Sequence, residues 1–312
     1  MENQQFEKHE WQTPQQHYVN TGPREQQEQQ GQQGYYPQSM YVDPREKIQP
    51  APRRRRPWLW IVAAIVIIAL LAGGIQSGLR NFVNTSSETH TYAVSAMPRL
   101  VINDNTGTVT IHTGGSGSQV TIQATKHFQS FGSAPAVQYS QNGDTINATV
   151  KNQNESFLSF ATDNVDFNVT IPANANLDVH MDTGTINVTG VSGTMSLITD
   201  TGSITANEDT LSGPSTLKTD TGSVTFTGSI GTSGSYQFLT DTGSVNATLP
   251  ANSSFHVEAS TDTGSINSDF SEVNVQKQDV TGSTARGDVG SNPGATVTLK
   301  TNTGSINLQK AQ

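Results

Sequence analysis

The sequence predicts an all-β protein: a β-solenoid-like stack of β-strand repeats of about 20 residues, preceded by one transmembrane helix and a disordered N-terminal tail. Three observations lead to this prediction. A motif related to Asp-Thr-Gly-Ser recurs through the second half of the 312-residue chain. Apolar and polar residues alternate on both sides of each copy, which is the period-two pattern of strands. Nearer the N-terminus, an uncharged apolar run follows four consecutive arginines.

The composition differs from that of a metabolic enzyme. Charged residues make up 14% of the chain and apolar residues 33%, against roughly 25% and 45–50% in ordinary soluble domains. The chain has no cysteine, which excludes a disulfide scaffold, a thiolate zinc site, a cysteine nucleophile and a lipid-modified cysteine. The formal net charge is −9; residues 1–56 carry +1 and residues 80–312 carry −10. With so few basic groups in the larger part, we expect no nucleic-acid partner.

Residues 1–56 form the predicted cytoplasmic tail. Glutamines recur in runs between positions 26 and 33, and the few aromatic residues follow no period. A segment with so little apolar surface does not bury enough of it to offset the entropy of ordering, so we interpret the tail as disordered. A mixture of Gln and Tyr can also support weak self-association, although a solvated tether is the interpretation that we favour.

Residues 57–76 form the predicted transmembrane helix. The run from Pro57 to Ile75 contains no charged residue, and at about 1.5 Å per residue it reaches about 28 Å, close to the hydrocarbon core of a bilayer. Trp58 and Trp60 stand at one end, where amphipathic rings favour the membrane interface. Arginines 53 to 56 precede it, so the positive-inside rule places the N-terminus in the cytoplasm and the C-terminus outside the cell membrane. We therefore expect an uncleaved, single-pass protein whose residues 57–75 contact the lipid bilayer.

Residues 77–97 read as a polar stalk, and residues 98–312 as the β-strand repeat domain. The repeats are marked by glycines at intervals of 18 to 22 residues. Six of them are predicted structural turns: Gly184, Gly202, Gly222, Gly243, Gly264 and Gly304. Gly supplies the positive φ that a tight corner needs, and the Asp before it can bond to nearby backbone amides. A degenerate copy at residues 280–283 fills the gap before the last repeat.

Stacking of successive repeats at strand spacing predicts a narrow apolar interior. One row would contain Leu197, Leu217 and Phe238, and a second would contain the apolar residues two positions after each glycine. Thr199, Thr219, Thr240 and Thr261 would form an outer ladder or a corner ladder. Residues 98–170, with an Asn-Thr-Gly-Thr corner at residues 105–108, are predicted to cap the stack and to protect its first edge.

The repeated aspartates suggest two kinds of chemistry. Asp-Thr-Gly-Ser also occurs in aspartic proteases, which need two unique carboxylates that face each other; five near-identical copies do not fit that arrangement. The second kind is a cation site. In-register carboxylates about 4.8 Å apart repel by about 0.9 kcal/mol even in water, so local amide hydrogen bonds, staggering or cations must relieve them. The candidate cation contacts are Asp200, Asp220, Asp241 and Asp262.

No other catalytic or cofactor pattern is present in the sequence. The histidines beyond residue 80 lack metal-site spacing, and the chain has no nucleophile elbow, phosphate loop or dinucleotide fingerprint. We therefore expect a protein that is not an enzyme and that carries no cofactor and no resident metal.

The pattern of the repeats resembles that of the bacterial putative-adhesin family of β-strand repeat domains. The likeness covers about two thirds of the chain. It is carried by three stretches: residues 165–188 with Thr-Gly-Thr-Ile-Asn-Val at 183–188, residues 249–270, and Thr-Gly-Ser-Ile-Asn-Leu at 303–308. The resemblance implies a surface-exposed envelope protein without a catalytic site. We expect adhesion or envelope scaffolding toward an extracellular or envelope ligand. The alternative is an envelope-stress sensor or signalling accessory that acts through the cytoplasmic tail.

Overall fold

The computed structural model describes residues 83–95, 97–115, 117–129, 134–151, 164–278 and 281–311. Within these ranges the protein is all-β and contains no helix. The tail predicted for residues 1–56 and the membrane helix predicted for residues 57–76 lie outside the described residues. Among the residues that are described, no helix is long and apolar enough to cross a bilayer.

Hydrogen-bonded ladders join the strands of the described ranges into one large sheet. The strands are β1 Val83–Ala93, β2 Arg99–Thr113, β3 Gln119–Gln129, β4 Ala136–Asn142, β5 Thr145–Lys151, β6 Asn164–Ile171, β7 Asn176–Thr189, β8 Ser192–Gly193, β9 Met195–Leu211, β10 Ser215–Thr221, β11 Val224–Ile230, β12 Ser233–Thr242, β13 Val245–Pro250, β14 Phe255–Thr263, β15 Ile266–Ser268, β16 Asn274–Gln278, β17 Gly282–Val289, β18 Gly294–Thr303 and β19 Ile306–Ala311.

The central part of the sheet consists of rungs, each of which is the chain on the two sides of one corner glycine. Strands β2, β7 and β9 run through their corners, whereas later rungs are divided there, for example into β10 and β11. Neighbouring rungs pair in parallel and in register. Leu217 lies between Leu197 and Phe238, and Val224 lies between Ile204 and Val245. These registers confirm the two predicted interior rows.

The interior is formed by the alternate residues of both halves of each rung, which are buried almost completely. Phe226 and Phe238 stack with ring centroids 5.2 Å apart. Small residues such as Ala206 and Ala247 lie next to Phe226 in the same row, so large and small side chains alternate along the stack. This alternation lets large side chains of one rung occupy the space beside small ones of the next.

The order of the rungs in space differs from their order in sequence. From one end to the other, the rungs are β2, β7, β9, β10–β11, β12–β13, β18–β19 and β14–β15. The last repeat of the chain is therefore inserted between the two repeats that precede it. Simple succession, which the sequence analysis expected, is wrong at this point. The reason is that β14 pairs with β17 on its other side, which leaves its inner edge free for β18.

The degenerate copy around Gly282 does not form a parallel rung. Strand β17 runs antiparallel to β14 and is followed at the edge by the antiparallel strand β16. Phe270 closes the same end of the interior, with 2% of its surface exposed and an edge-on contact to Phe255 at 5.4 Å. An antiparallel strand cannot continue the parallel register, so the stack ends here.

The opposite end is closed by residues 83–171. Strand β6 pairs in parallel with β2, β3 pairs antiparallel with β6, and β1 pairs antiparallel with β3 along eleven residue pairs. This agrees in part with the cap predicted for residues 98–170: β2 is itself the first rung of the stack, and the strands after it cover its outer edge. The stalk predicted for residues 77–97 differs, because residues 83–93 form β1. That segment lacks apolar alternation, and its strand structure comes from its hydrogen bonds to β3.

Candidate functional site

The corner glycines form one continuous column. Its members, in spatial order, are Gly107, Gly184, Gly202, Gly222, Gly243, Gly304 and Gly264. Their φ angles lie between +140° and +152°. Each Cα also faces the backbone of the adjacent rung: a methyl group on Gly222, for example, would overlap the carbonyl oxygen of Gly202. Both the backbone angle and the lack of space therefore require glycine in the column.

The threonines that precede the aspartates are buried inside the corner. Thr219, Thr240, Thr301 and Thr261 are at most 2% exposed. Each hydroxyl donates to the carbonyl of the corner glycine in the adjacent rung, as Thr240 does to Gly222 at 3.1 Å. These threonines thus form a corner ladder and not an outer one. Thr199, which was also predicted for the ladder, is 1% exposed, but its hydroxyl donates to the Thr201 carbonyl of its own corner at 3.4 Å. A hydroxyl at this position satisfies a carbonyl that would otherwise be buried without a full set of partners.

The aspartates of the repeats form an exposed column beside the threonines. The parallel registers give the order Asn105, Asp182, Asp200, Asp220, Asp241, Asn302 and Asp262. Three of the four candidate cation contacts, those at positions 200, 220 and 241, are consecutive. The fourth is separated from them by Asn302, because the last repeat is inserted before it.

Neighbouring side chains reduce the repulsion within this column. Lys218 binds Asp220 at 2.9 Å, and this hydrogen bond and the nearby carboxylates raise the pKa of the lysine. Asn302 donates to Asp241 at 3.3 Å, and Asn105 donates to Asp182 at 3.1 Å. Within the described part of the chain, no cluster of three or more His, Cys, Asp or Glu residues is placed to hold a metal ion. Amide donors and one lysine therefore reduce the repulsion between the stacked carboxylates.

A charge at position 302 tests this arrangement. Asn302→Asp removes an amide donor and places a carboxylate between those of Asp241 and Asp262, so we expect a loss of about 1–2 kcal/mol in the free energy of unfolding at low salt. The loss should shrink in 0.5 M NaCl, since exposed charges are then screened over roughly 4 Å. Urea unfolding followed by circular dichroism measures it.

The matched control for this experiment exchanges the two residues. In the double variant Asp241→Asn with Asn302→Asp, one asparagine again separates the carboxylates, and stability should return to near that of the native chain. A single Asn302→Asp variant as stable as the native chain at low salt would contradict the account. Stabilisation of that variant by Ca²⁺ alone, and not by NaCl, would indicate a bound cation.

The outward side of the chain after each corner is an uncharged polar surface, which we call the neutral face. It consists of the residues one and three positions after each corner glycine, all of them Ser, Thr or Asn and all half-buried or exposed. They are Thr108, Thr110, Thr185, Asn187, Ser203, Thr205, Ser223, Thr225, Ser244, Asn246, Ser305, Asn307, Ser265 and Asn267. No charge interrupts these two rows across the seven rungs.

Side chains of the neutral face bond to one another along the stack. Asn307 donates to Asn246 at 2.8 Å, and Asn267 donates to Asn307 at 3.1 Å. Ser244 and Ser305 are 3.2 Å apart through their hydroxyl oxygens. These bonds fix the amide planes at strand spacing, so donors and acceptors are presented in a preformed regular array.

A shallow groove lies at the β16–β17 edge. It encloses about 390 Å³ and is lined by Asn274, Gln276, Gln278, Thr284 and Arg286. The three amide side chains project from the same side of β16, as alternate residues of a strand do. The groove and the neutral face present the same hydrogen-bonding groups, with a guanidinium in addition at the groove.

Two buried acids were not found by sequence reasoning. Asp104 is 4% exposed and Asp209 is 1% exposed. Oδ1 of Asp104 accepts the backbone N–H of Asn105 at 2.8 Å, and Oδ1 of Asp209 accepts that of Val191 at 2.6 Å. Each Oδ2 is buried and has no hydrogen-bond partner among the described residues. Burial raises the pKa of both carboxyls to about 7. For Asp104 the sequence carries one signal, its position three residues before Gly107, which matches that of the buried threonines; Asp209 lies in a polar stretch, and only the packing identifies it.

Comparison with known proteins gives similarities of shape. No protein-family model matches the chain, and no curated protein matches it. A putative cell adhesion protein from Clostridium sporogenes is similar with a TM-score of 0.37 and 10% identity, over 72% of this chain and 100% of that one. A putative adhesin from Bacteroides fragilis is similar with a TM-score of 0.33 and 12% identity, over 72% of this chain and 97% of that one.

Proposed function

We propose that this chain is a single-pass membrane protein that displays a non-catalytic β-repeat domain outside the cell membrane for adhesion or envelope scaffolding. The neutral face is the observation that carries the proposal. A rigid sheet whose hydroxyl and amide groups are already ordered loses little conformational entropy when it binds a second surface. The parallel, in-register rungs further support a solenoid-like rod, a shape that repeats such a face along its length.

The ligand class follows from the chemistry of the face. Uncharged donors and acceptors at strand spacing match the hydroxyl groups of an envelope polysaccharide, which are themselves uncharged and repeated. The acidic column lies on the other side of the corner and would repel anionic polymers, because the C-terminal part of the chain is strongly acidic. We therefore assign binding to the neutral face and to a neutral glycan.

Charge placed on the neutral face tests the proposal. Full-length protein in proteoliposomes is bound to purified envelope polysaccharide, and the Thr205→Lys, Thr225→Lys double variant is compared with the native chain. We expect at least a tenfold loss of binding, because buried ammonium groups would lack partners in the contact. The matched control is Ser196→Lys with Thr216→Lys, on the same two rungs but on the other outward side, and it should bind as the native chain does.

Two results would contradict the proposal. The first is equal loss in both lysine variants, which would show that added charge and not the neutral face matters. The second concerns topology: with a tag at each end of the chain, only the C-terminal tag should be labelled on intact cells. Labelling of the N-terminal tag would overturn the orientation.

A further inference from the structure

At four corners, one carbonyl oxygen of the adjacent rung accepts a hydrogen bond from a threonine hydroxyl and also lies directly against the corner glycine. Thr261 donates to the Gly304 carbonyl oxygen at 3.2 Å, and a methyl group on Gly264 would overlap that same oxygen. The threonine always stands three positions before its glycine. Each such bond joins one rung to the next inside the corner, where water has no access.

At the N-terminal end of the column, the equivalent residue is Asp104, three positions before Gly107. A methyl group on Gly107 would overlap the Val165 carbonyl oxygen of β6 and would lie 3.2 Å from Asp104 Oδ2. A methyl group on Gly264 would likewise lie 3.2 Å from the hydroxyl oxygen of Thr261. Asp104 Oδ2 therefore occupies the place of a hydroxyl donor. No described residue donates a hydrogen bond to it.

A carboxylate cannot donate a hydrogen bond, whereas a carboxylic acid can. We propose that Asp104 carries a proton and donates it in a hydrogen bond to the Val165 carbonyl, and that loss of this proton as pH rises loosens β6 from β2. The N-terminal cap is then a pH-dependent clasp. Strand β3 pairs with β6 and β1 pairs with β3, so both strands depend on the same contact.

The charged groups around Asp104 favour the protonated form. Burial raises its pKa to about 7, and the nearby carboxylates of Asp166 on β6 and Asp182 on β7 act in the same direction. Backbone N–H groups of Asn105 and Thr106 oppose this shift. On β3, His127 lies 3.1 Å from Asp166, and this second titratable contact must be separated by experiment.

The sign of the effect follows from linkage. The folded state holds the proton up to about pH 7, whereas the unfolded carboxyl loses it near its ordinary value of 3.8. Between these values the folded state binds more protons, so the stability contributed by Asp104 falls as pH rises. The clasp is closed in mildly acidic medium and is open above neutrality.

Hydrogen exchange of the full-length protein in detergent micelles tests the clasp between pH 5 and pH 8. The reporting peptides cover β2 and β6, and each rate is divided by that of Asp104→Thr, which restores the residue found at the other corners. We expect native protection to fall about tenfold for each pH unit between pH 5 and pH 7 and to level off by pH 8, because the closed state keeps the proton up to about pH 7 whereas the opened state loses it near pH 3.8. Asp104→Asn, an uncharged donor of the same shape, should match Asp104→Thr at every pH.

Each remaining outcome bears on the proposal. Peptides from β12 and β13 should not respond, and Thr261→Asp should install the same pH dependence at the β14–β18 corner. Equal native protection of β6 at pH 5 and pH 8 would overturn the clasp. So would pH dependence that persists in Asp104→Thr, which would assign it to His127 or to Asp209. Restoration of native protection at pH 8 by Ca²⁺ would make Asp104 a cation ligand and not a donor.

Discussion

Gly222→Ala is expected to lower the free energy of unfolding by about 3–5 kcal/mol. The added methyl group would overlap the carbonyl oxygen of Gly202, and also lies close to the carbon atoms of the same residue. Backbone atoms cannot rotate out of the way as a side chain does, so the two rungs must separate. Overpacking of this kind costs about 1–3 kcal/mol, and the strain of a φ of +140° at alanine adds about 1–3 kcal/mol more.

The control for this substitution is Gly143→Ala in the β4–β5 turn. Gly143 also has a positive φ, +58°, but nothing lies within 4 Å of an added methyl group. We expect a loss of about 1 kcal/mol there, from the backbone angle alone. Because Trp11, Trp58 and Trp60 all lie outside the described strands, far-UV circular dichroism is the appropriate signal. Equal losses in the two variants would contradict the close packing of the glycine column.

Phe238→Ala is expected to cost about 3–5 kcal/mol. The ring is fully buried, stacks on Phe226 at 5.2 Å and lies between Leu217 and Leu299 of the neighbouring rungs. Since the rungs on both sides share backbone hydrogen bonds with β12, a cavity at this point cannot collapse without breaking register. Truncation should therefore lose the transfer free energy of the ring and leave most of the cavity open.

Leu239→Ala is the matched control, since it follows Phe238 on the same strand and points to the opposite, outward side. Its side chain is only half-buried, and we expect a loss below about 1 kcal/mol. The comparison uses urea unfolding of the full chain. Similar losses in the free energy of unfolding for Phe238→Ala and Leu239→Ala would mean that the interior does not lie between the two sides of the corner. That result would contradict the fold.

Much of the fold could be predicted because its information is local. Period-two alternation places Leu217 and Val224 inside, and the fixed distance from each corner glycine brings equivalent residues into register. The resulting interior rows are those that the structure describes. The buried threonine ladder was predicted less well, since Thr240 has a small polar side chain whose burial depends on a carbonyl in another rung. Asp104 was missed, although its distance from Gly107 places it in register with those threonines, because a carboxyl group at that position is expected to be exposed.

By itself, the sequence determined the strand content, the repeat length and the apolar rows, because each repeat encodes these in its own residues. Only the tertiary structure decided which repeats are neighbours. Repeats that are almost identical present almost identical edges, so pairing energy alone barely distinguishes one order from another. The segment that contains Phe270, β16 and β17 distinguishes between these orders. It occupies one side of β14 and directs the final repeat to the other, and Asn302 thereby comes to separate two carboxylates that are consecutive in the repeat sequence.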